Sequence, residues 1–323
     1  MRRDSRPPAE RLDTVSTAYI THPSCRLHAM GPYHPECPER LDAVQERLIS
    51  SGLDALVEHH LAPAATREQL ARVHAAHYID EIEAASPESG VHYLDPDTAL
   101  NPDSLDAARH GAGALILATD LVVGGRRDTA FCAVRPPGHH ATRDRAMGFC
   151  LFNNVAVGVA HALEHHGLAR AAVVDFDVHH GNGTEDIFAN DARIIMTGTF
   201  QYPLYPYSGI DPRGPNMHNV ALSPGSGSDA FRKAFVEVCL PALEAHRPEI
   251  IFVSAGFDAH REDPLANLQL TDEDYAWVTD KIAAVAARHA GGRIVSTLEG
   301  GYALNALGRS ATEHVRALAG LGS

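Results

Sequence analysis

The sequence predicts an α/β fold: one central parallel β-sheet flanked by helices on both faces, forming a single domain over residues 16–323. Three observations predict it. From residue 129 onward, short apolar runs alternate with segments of helical periodicity, the pattern of repeated βα units. Runs such as Ala171-Ala172-Val173-Val174 and Ile250-Ile251-Phe252-Val253 are apolar at every position, as in strands buried on both faces. Polar, chemistry-bearing residues stand directly after these runs, and open α/β sheets bind ligands at the carboxyl ends of their strands.

The elements follow in order. Residues 1–15 open Met1-Arg2-Arg3-Asp4-Ser5-Arg6-Pro7-Pro8, which is charged and lacks an apolar centre, so they read as a disordered tail and not a secretory signal. Leu41, Val44 and Leu48 share one face of a helix over 38–49. Thr66 and Gln69 have capping-box spacing and open a helix over 66–85. A strand over 129–134 enters the turn Arg135-Pro136-Pro137-Gly138-His139-His140, and a helix over 154–166 follows. Strands over 171–175 and 194–197 come next, then Pro- and Gly-rich loops over 201–227 and a helix over 228–245. The strand leading to Asp258, a helix over 272–290, a strand over 294–298 and a helix over 304–318 complete the chain.

Composition excludes several functions. A formal charge of −14 lacks the basic face a nucleic-acid partner requires, and it favours cationic over anionic substrates. No run reaches the roughly 18 apolar residues of a membrane span. The five cysteines (25, 37, 132, 150 and 239) are odd in number and show no Cys-x-x-Cys pairing, which suits a reducing, cytoplasmic setting. Of the 21 histidines, the pairs His59-His60 and His165-His166 fall near expected helix ends with no carboxylate cluster, and read as surface residues.

The stretch Asp175-Phe176-Asp177-Val178-His179 carries the most chemistry. Alternate residues of an extended chain share a face, so Asp175, Asp177 and His179 project together. Two carboxylates and an imidazole beside a buried sheet are costly without a cation. With Asp258 from a separate strand end they can build a hydrolytic zinc site; a set of Asp177, His179 and Asp258 leaves a position open to water and a substrate carbonyl. The same donors also accept Fe(II). His139 and His140 are the natural proton-transfer groups, and Asp175 can orient one of them. Tyr302 follows two glycines, where a phenol can reach inward and donate to an oxyanion. Gly181-Asn182-Gly183-Thr184 has the form of an anion nest, but no nucleotide-binding motif accompanies it, and it reads as the loop shaping the metal site.

Six motifs in order resemble the histone deacetylase family: His34-Pro35-Glu36-Cys37-Pro38-Glu39-Arg40, Arg135 through Ala141, Gly148 through Asn154, Asp175 through Thr184, Ala255 through Asp258, and Glu299 through Tyr302. The resemblance covers about residues 18–320 and implies an arginase-like fold. It implies Asp177, His179 and Asp258 as ligands of one Zn2+ per chain. His140 matches the general base and acid, His139 its electrostatic partner, Asp175 the carboxylate paired with His139, and Tyr302 the residue that polarises the scissile carbonyl. Phe149 and Tyr205 match the walls of an acyl-lysine tunnel, and Gly148 a carbonyl that accepts from the substrate amide. Asp175, Asp177 and His179, with Thr199 and Phe200, match a monovalent-cation site filled by K+. Arg40 is similar to the arginine of an internal product channel, and Asp95 and Asp97 fall near the loop that clamps the substrate backbone.

Two positions depart from the pattern. Asn182 stands where class I members carry a second Asp, so the partner of His140 is neutral. Leu265 stands where a polyamine-selective class II member carries Glu, which removes a charge that would select a cationic acyl-polyamine. The implied activity is removal of acetyl or acyl groups from N-acyl-lysine-type amides, by metal-activated water with histidine proton transfer and tyrosine polarisation of the carbonyl. Acetylpolyamine deacetylation is the alternative; a non-catalytic acyl-binding relative is disfavoured by the intact residue set. The expected partner is a small-molecule or peptide N-acyl amine, with no nucleic acid or membrane, and the resemblance is compatible with a homo-oligomer.

Overall fold

A computed structural model describes residues 16–322, so the tail expected over residues 1–15 lies outside the described residues. The strands are β1 (Thr17–Thr21), β2 (Glu58–Leu61), β3 (His92–Tyr93), β4 (Ala99–Leu100), β5 (Thr129–Cys132), β6 (Ala171–Asp175), β7 (Ile194–Gln201), β8 (Met217–Leu222), β9 (Ile250–Ala255) and β10 (Ile294–Leu298). The helices are α1 (Glu39–Ser50), α2 (Arg67–Leu70), α3 (Ala76–Ala85), α4 (Ser104–Val123), α5 (Asn154–Glu164), α6 (Asn182–Phe188), α7 (Ser228–Ala234), α8 (Leu240–His246), α9 (Asp272–Val285) and α10 (Leu304–Leu318).

Eight strands form one parallel sheet in the order β2-β1-β5-β10-β9-β6-β7-β8, while β3 and β4 make a separate antiparallel pair. Every residue of β5, β6, β9 and β10 is buried, which explains the apolar runs over 171–174 and 250–253. Helices α4 and α5 pack together and against the central strands, and α1, α9 and α10 form a second packed group that also meets β5. The expected α/β architecture is therefore present, with the apolar face of α1 (Leu41, Val44, Leu48) buried.

Several elements differ from expectation. The helix over 66–85 is two helices: Thr66 and Gln69 do form the capping box of α2, but the chain then leaves the helix, and the Ala75 N–H donates to Arg143 O at 2.8 Å. That bond ties the break to the segment following His140. The loops over 201–227 contain the edge strand β8, and β1, β2 and α4 lie in stretches assigned no element from sequence. His59 and His60 sit on β2 and not at a helix end, and each meets a carboxylate, Asp54 at 3.1 Å and Glu58 at 2.9 Å. The His165-His166 pair meets one as well: His166 Nε2 lies 2.7 Å from Asp120 Oδ1.

Candidate active site

Four adjacent central strands deliver the candidate residues to one rim of the sheet. Asp175 ends β6, and Asp177 and His179 follow it; Asp258 stands three residues past β9; His139 and His140 follow β5; Tyr302 follows β10. Strand register brings these four segments side by side, so residues far apart in sequence converge without long loops.

Asp177, His179 and Asp258 form a tight trio whose donor atoms all lie within 4.8 Å of one another. His179 Nδ1 is 3.0 Å from Asp177 Oδ1 and 3.2 Å from Asp258 Oδ2. Backbone amides fix the carboxylates: Gly300 N–H donates to Asp177 Oδ2 at 2.8 Å and Val178 N–H to Asp258 Oδ1 at 2.9 Å. The other oxygen, Asp258 Oδ2, is buried with no hydrogen-bond partner. Burial pushes the Asp258 carboxyl up to about 7, and the neighbouring Asp177 charge adds to the rise. A buried, unpartnered carboxylate oxygen facing an imidazole nitrogen and a second carboxylate fits a divalent cation. A Cβ at Gly300 would lie 2.0 Å from Asp258 Oδ2, so only glycine lets the β10 turn approach this closely.

The two histidines beside the trio have opposite electrostatics. His139 Nδ1 lies 2.9 Å from Asp175 Oδ2 and its Nε2 3.8 Å from Asp177 Oδ1. Burial opposes its charge, but these two carboxylates overcome burial and hold its pKa well above the usual value. His140 donates from Nδ1 to Asn182 Oδ1 at 2.7 Å, a neutral acceptor. Burial, then the neighbouring His139 and His179, push the His140 pKa well down. One imidazole is held charged and its neighbour, at 4.1 Å between ring centroids, is held neutral.

Aromatic side chains surround the pair. Tyr205 stands edge-on to His140 at 5.3 Å, and Phe149 stands edge-on to Tyr302 at 6.0 Å. Gly148 and Phe149 both have positive φ, 57° and 68°. A Cβ at Gly148 would fall 2.4 Å from His140 Cδ2. Asp97 Oδ1 accepts the Gly148 N–H at 3.2 Å and Thr98 Oγ1 the Phe149 N–H at 3.0 Å, so the Asp95–Thr98 turn clasps this segment. Buried Arg40 lies 5.0 Å over the Tyr302 ring and donates to Gly301 O at 2.7 Å. Burial drives the Tyr302 phenol well above its usual pKa despite Arg40, so it keeps its proton.

Leu265 is 36% exposed on the loop after β9, and that loop is tied to the site through Asp263, which accepts from Leu265 N–H and Tyr302 N–H. Thr199 and Phe200 lie on β7 beside the end of β6, where Asp175 pairs with Gly198 and the Gln201 N–H donates to Val178 O at 2.8 Å. Asn182 and Gly183, expected in a loop, instead begin α6.

A model of the histone deacetylase domain matches residues 34–318. The chain belongs to the histone deacetylase family. It is accordingly a deacetylase enzyme. It is 40% identical over 314 residues to a histone deacetylase-like amidohydrolase of Pseudomonas aeruginosa, covering 90% of this chain and 82% of that one. It is 36% identical over 308 residues to the mouse polyamine deacetylase HDAC10, covering 88% of this chain and 45% of that protein. Among solved structures, the HDA15 HD domain superposes with a TM-score of 0.89 at 34% identity, covering 95% of this chain and 90% of that one.

Two carboxylates of this deacetylase were not singled out from sequence. Buried Glu299 accepts the Gly138 N–H at 2.7 Å and the His139 N–H at 3.2 Å through Oε2, and Ser254 Oγ through Oε1 at 3.1 Å. It therefore fixes the turn that carries both histidines. Asp263 fixes Tyr302 and Ala303 in the same way, at 2.7 and 3.2 Å. A carboxylate just past a buried run was the available signal for Glu299; Asp263 sits in an irregular loop and had none.

Proposed function

We propose that the chain is a zinc-dependent amidohydrolase that removes acetyl or related acyl groups from N-acyl-lysine-type amides. The observation that carries the reading is the buried, unpartnered Asp258 Oδ2 facing His179 and Asp177 beside a charged and a neutral histidine. Asp177, His179 and Asp258 would hold one zinc ion, which when bound supplies a Lewis acid for the amide carbonyl and a water of lowered pKa.

The chain's own residues do the rest. His140 is neutral, with Nδ1 committed to Asn182, so Nε2 takes a proton from water and later returns it to the departing amine nitrogen. His139, held charged by Asp175, stabilises the anionic centre next to it. Tyr302 donates its retained proton as a hydrogen bond to the carbonyl oxygen as charge develops there. Phe149 and Tyr205 enclose the methylene stem of the acyl-lysine, and Gly148 O accepts from its amide. Backbone oxygens around Asp175, Asp177 and His179, with Thr199 and Phe200, would hold a potassium ion. One domain over residues 16–323 carries these parts, and the five free cysteines, four of them buried, support a reducing cytoplasm. Among the described residues no helix is long and apolar enough to cross a membrane.

Acetylpolyamine deacetylation is the second reading, favoured by the −14 charge and by the polyamine deacetylase among the relatives. Leu265 weighs against it, because an apolar side chain at the rim offers nothing to a second ammonium group. The test is kcat/KM on zinc-loaded enzyme for an acetyl-lysine peptide, N-acetylputrescine and acetylspermidine, following acetate release. Preference for the peptide supports the lysine reading; preference for the polyamines replaces it with the second.

A further inference from the structure

Asp120, in the last turn of α4, meets His161, His165 and His166 at the end of α5, with ligand atoms of all four residues within 4.8 Å of one another. His161 Nε2 and His166 Nε2 aim at the same oxygen, Asp120 Oδ1, from 2.8 and 2.7 Å. His165 stacks on His161 at 4.6 Å and 11°, and stands 5.0 Å from His166. His161 is buried.

We infer that these four side chains form a second metal site, for zinc or a similar divalent transition ion, separate from the catalytic trio. Three imidazoles and one carboxylate fill a tetrahedral shell and leave no open position, the pattern of a structural site. Helices α4 and α5 both end at the cluster, so two negative dipole ends face the ion. Helix α5 begins beside the catalytic turn, where Asn154 Nδ2 donates to Pro136 O at 3.1 Å. Its 11 residues run roughly 16 Å to the opposite rim. The ion would therefore fasten α4 to α5 at the edge of the sheet remote from the chemistry.

Arg72 sets a condition on binding. Its Nη1 lies 2.9 Å from His161 Nδ1, and arginine can only donate, so the His161 proton sits on Nε2 and points at Asp120. Coordination through Nε2 requires the other tautomer, with the proton on Nδ1, and Arg72 must turn away. Glu164, 3.7 Å from Arg72 Nε, can receive it.

The test is zinc content after equilibration with zinc and gel filtration, for the wild type, Asp120→Asn and His166→Gln, together with zinc affinity by calorimetry. Each variant is expected to hold one zinc fewer than the wild type, the lost site having a Kd on the order of a micromolar or tighter. Zinc should raise the Tm of the wild type more than that of either variant, and unchanged acetate release by His166→Gln would show that it is folded. Arg72→Gln should tighten binding several-fold. Equal zinc content in wild type and His166→Gln, or a millimolar Kd, overturns the site; unchanged affinity in Arg72→Gln overturns His161 as a ligand.

Discussion

Asn182 Oδ1 lies 2.7 Å from His140 Nδ1, which commits one imidazole nitrogen to a neutral acceptor and leaves Nε2 as the nitrogen on which the proposed proton transfer rests. A carboxylate at the same place would favour the charged imidazole. Asn182→Asp is therefore predicted to raise the His140 pKa and move the acid limb of the kcat/KM profile to higher pH by about one unit. A profile with an unmoved acid limb contradicts the assignment of His140 as base.

Tyr302 keeps its phenolic proton because burial outweighs the nearby Arg40 charge. Tyr302→Phe retains the ring against Phe149 and loses only the donor. Turnover should fall about a hundredfold or more while KM changes little, the behaviour of a group that acts on the developing charge. Steady-state rates on an acetyl-lysine peptide check this, and near-normal kcat would remove Tyr302 from the chemistry.

Glu299 satisfies two backbone amides and a hydroxyl in a fully buried place. Glu299→Ala strands all three donors, at a cost of about 1–3 kcal/mol for each unsatisfied group. Urea unfolding should report a loss of several kcal/mol, with activity falling as the histidine-bearing turn loosens. Glu299→Gln should keep more of both, since one amide oxygen can still accept.

His314 is buried and neutral between Thr279 Oγ1 at 2.6 Å and Ser296 Oγ at 2.8 Å, and burial pushes its pKa down to about 3. The unfolded chain binds this proton below about pH 6.5, and the native chain does not until about pH 3. Stability from this residue is thus complete above pH 6.5 and falls as pH drops, by up to about 1.4 kcal/mol per pH unit. Glu299, raised to about 7 by burial, contributes the opposite slope, so the readout is wild type minus His314→Gln across pH 7.5 to 4.5. A difference independent of pH would contradict a neutral His314.

The rim of the sheet was legible because buried parallel strands read as apolar runs, and a carboxylate or histidine directly after such a run stands out. Asp175, Asp177, His179 and Asp258 were visible for that reason. Helix α4 was not, because its Ala- and Gly-rich turns are buried on most sides and show no apolar stripe against a polar face. Strand β8 is a half-exposed edge with His218 and Asn219 in its middle, set among Pro and Gly. The break between α2 and α3 depends on the Ala75 bond to Arg143, and the Asp120 cluster on residues 41 and 46 positions apart. Long-range pairing of this kind leaves no periodicity in a single sequence.

The most direct measurement is acetate release from an acetyl-lysine peptide before chelation, after chelation, and after zinc is restored, in the wild type and Asp258→Ala. Chelation is expected to abolish turnover, zinc to restore it in the wild type, and Asp258→Ala to stay inactive with or without zinc. Turnover that survives chelation, or an Asp258→Ala variant as fast as the wild type, would contradict it.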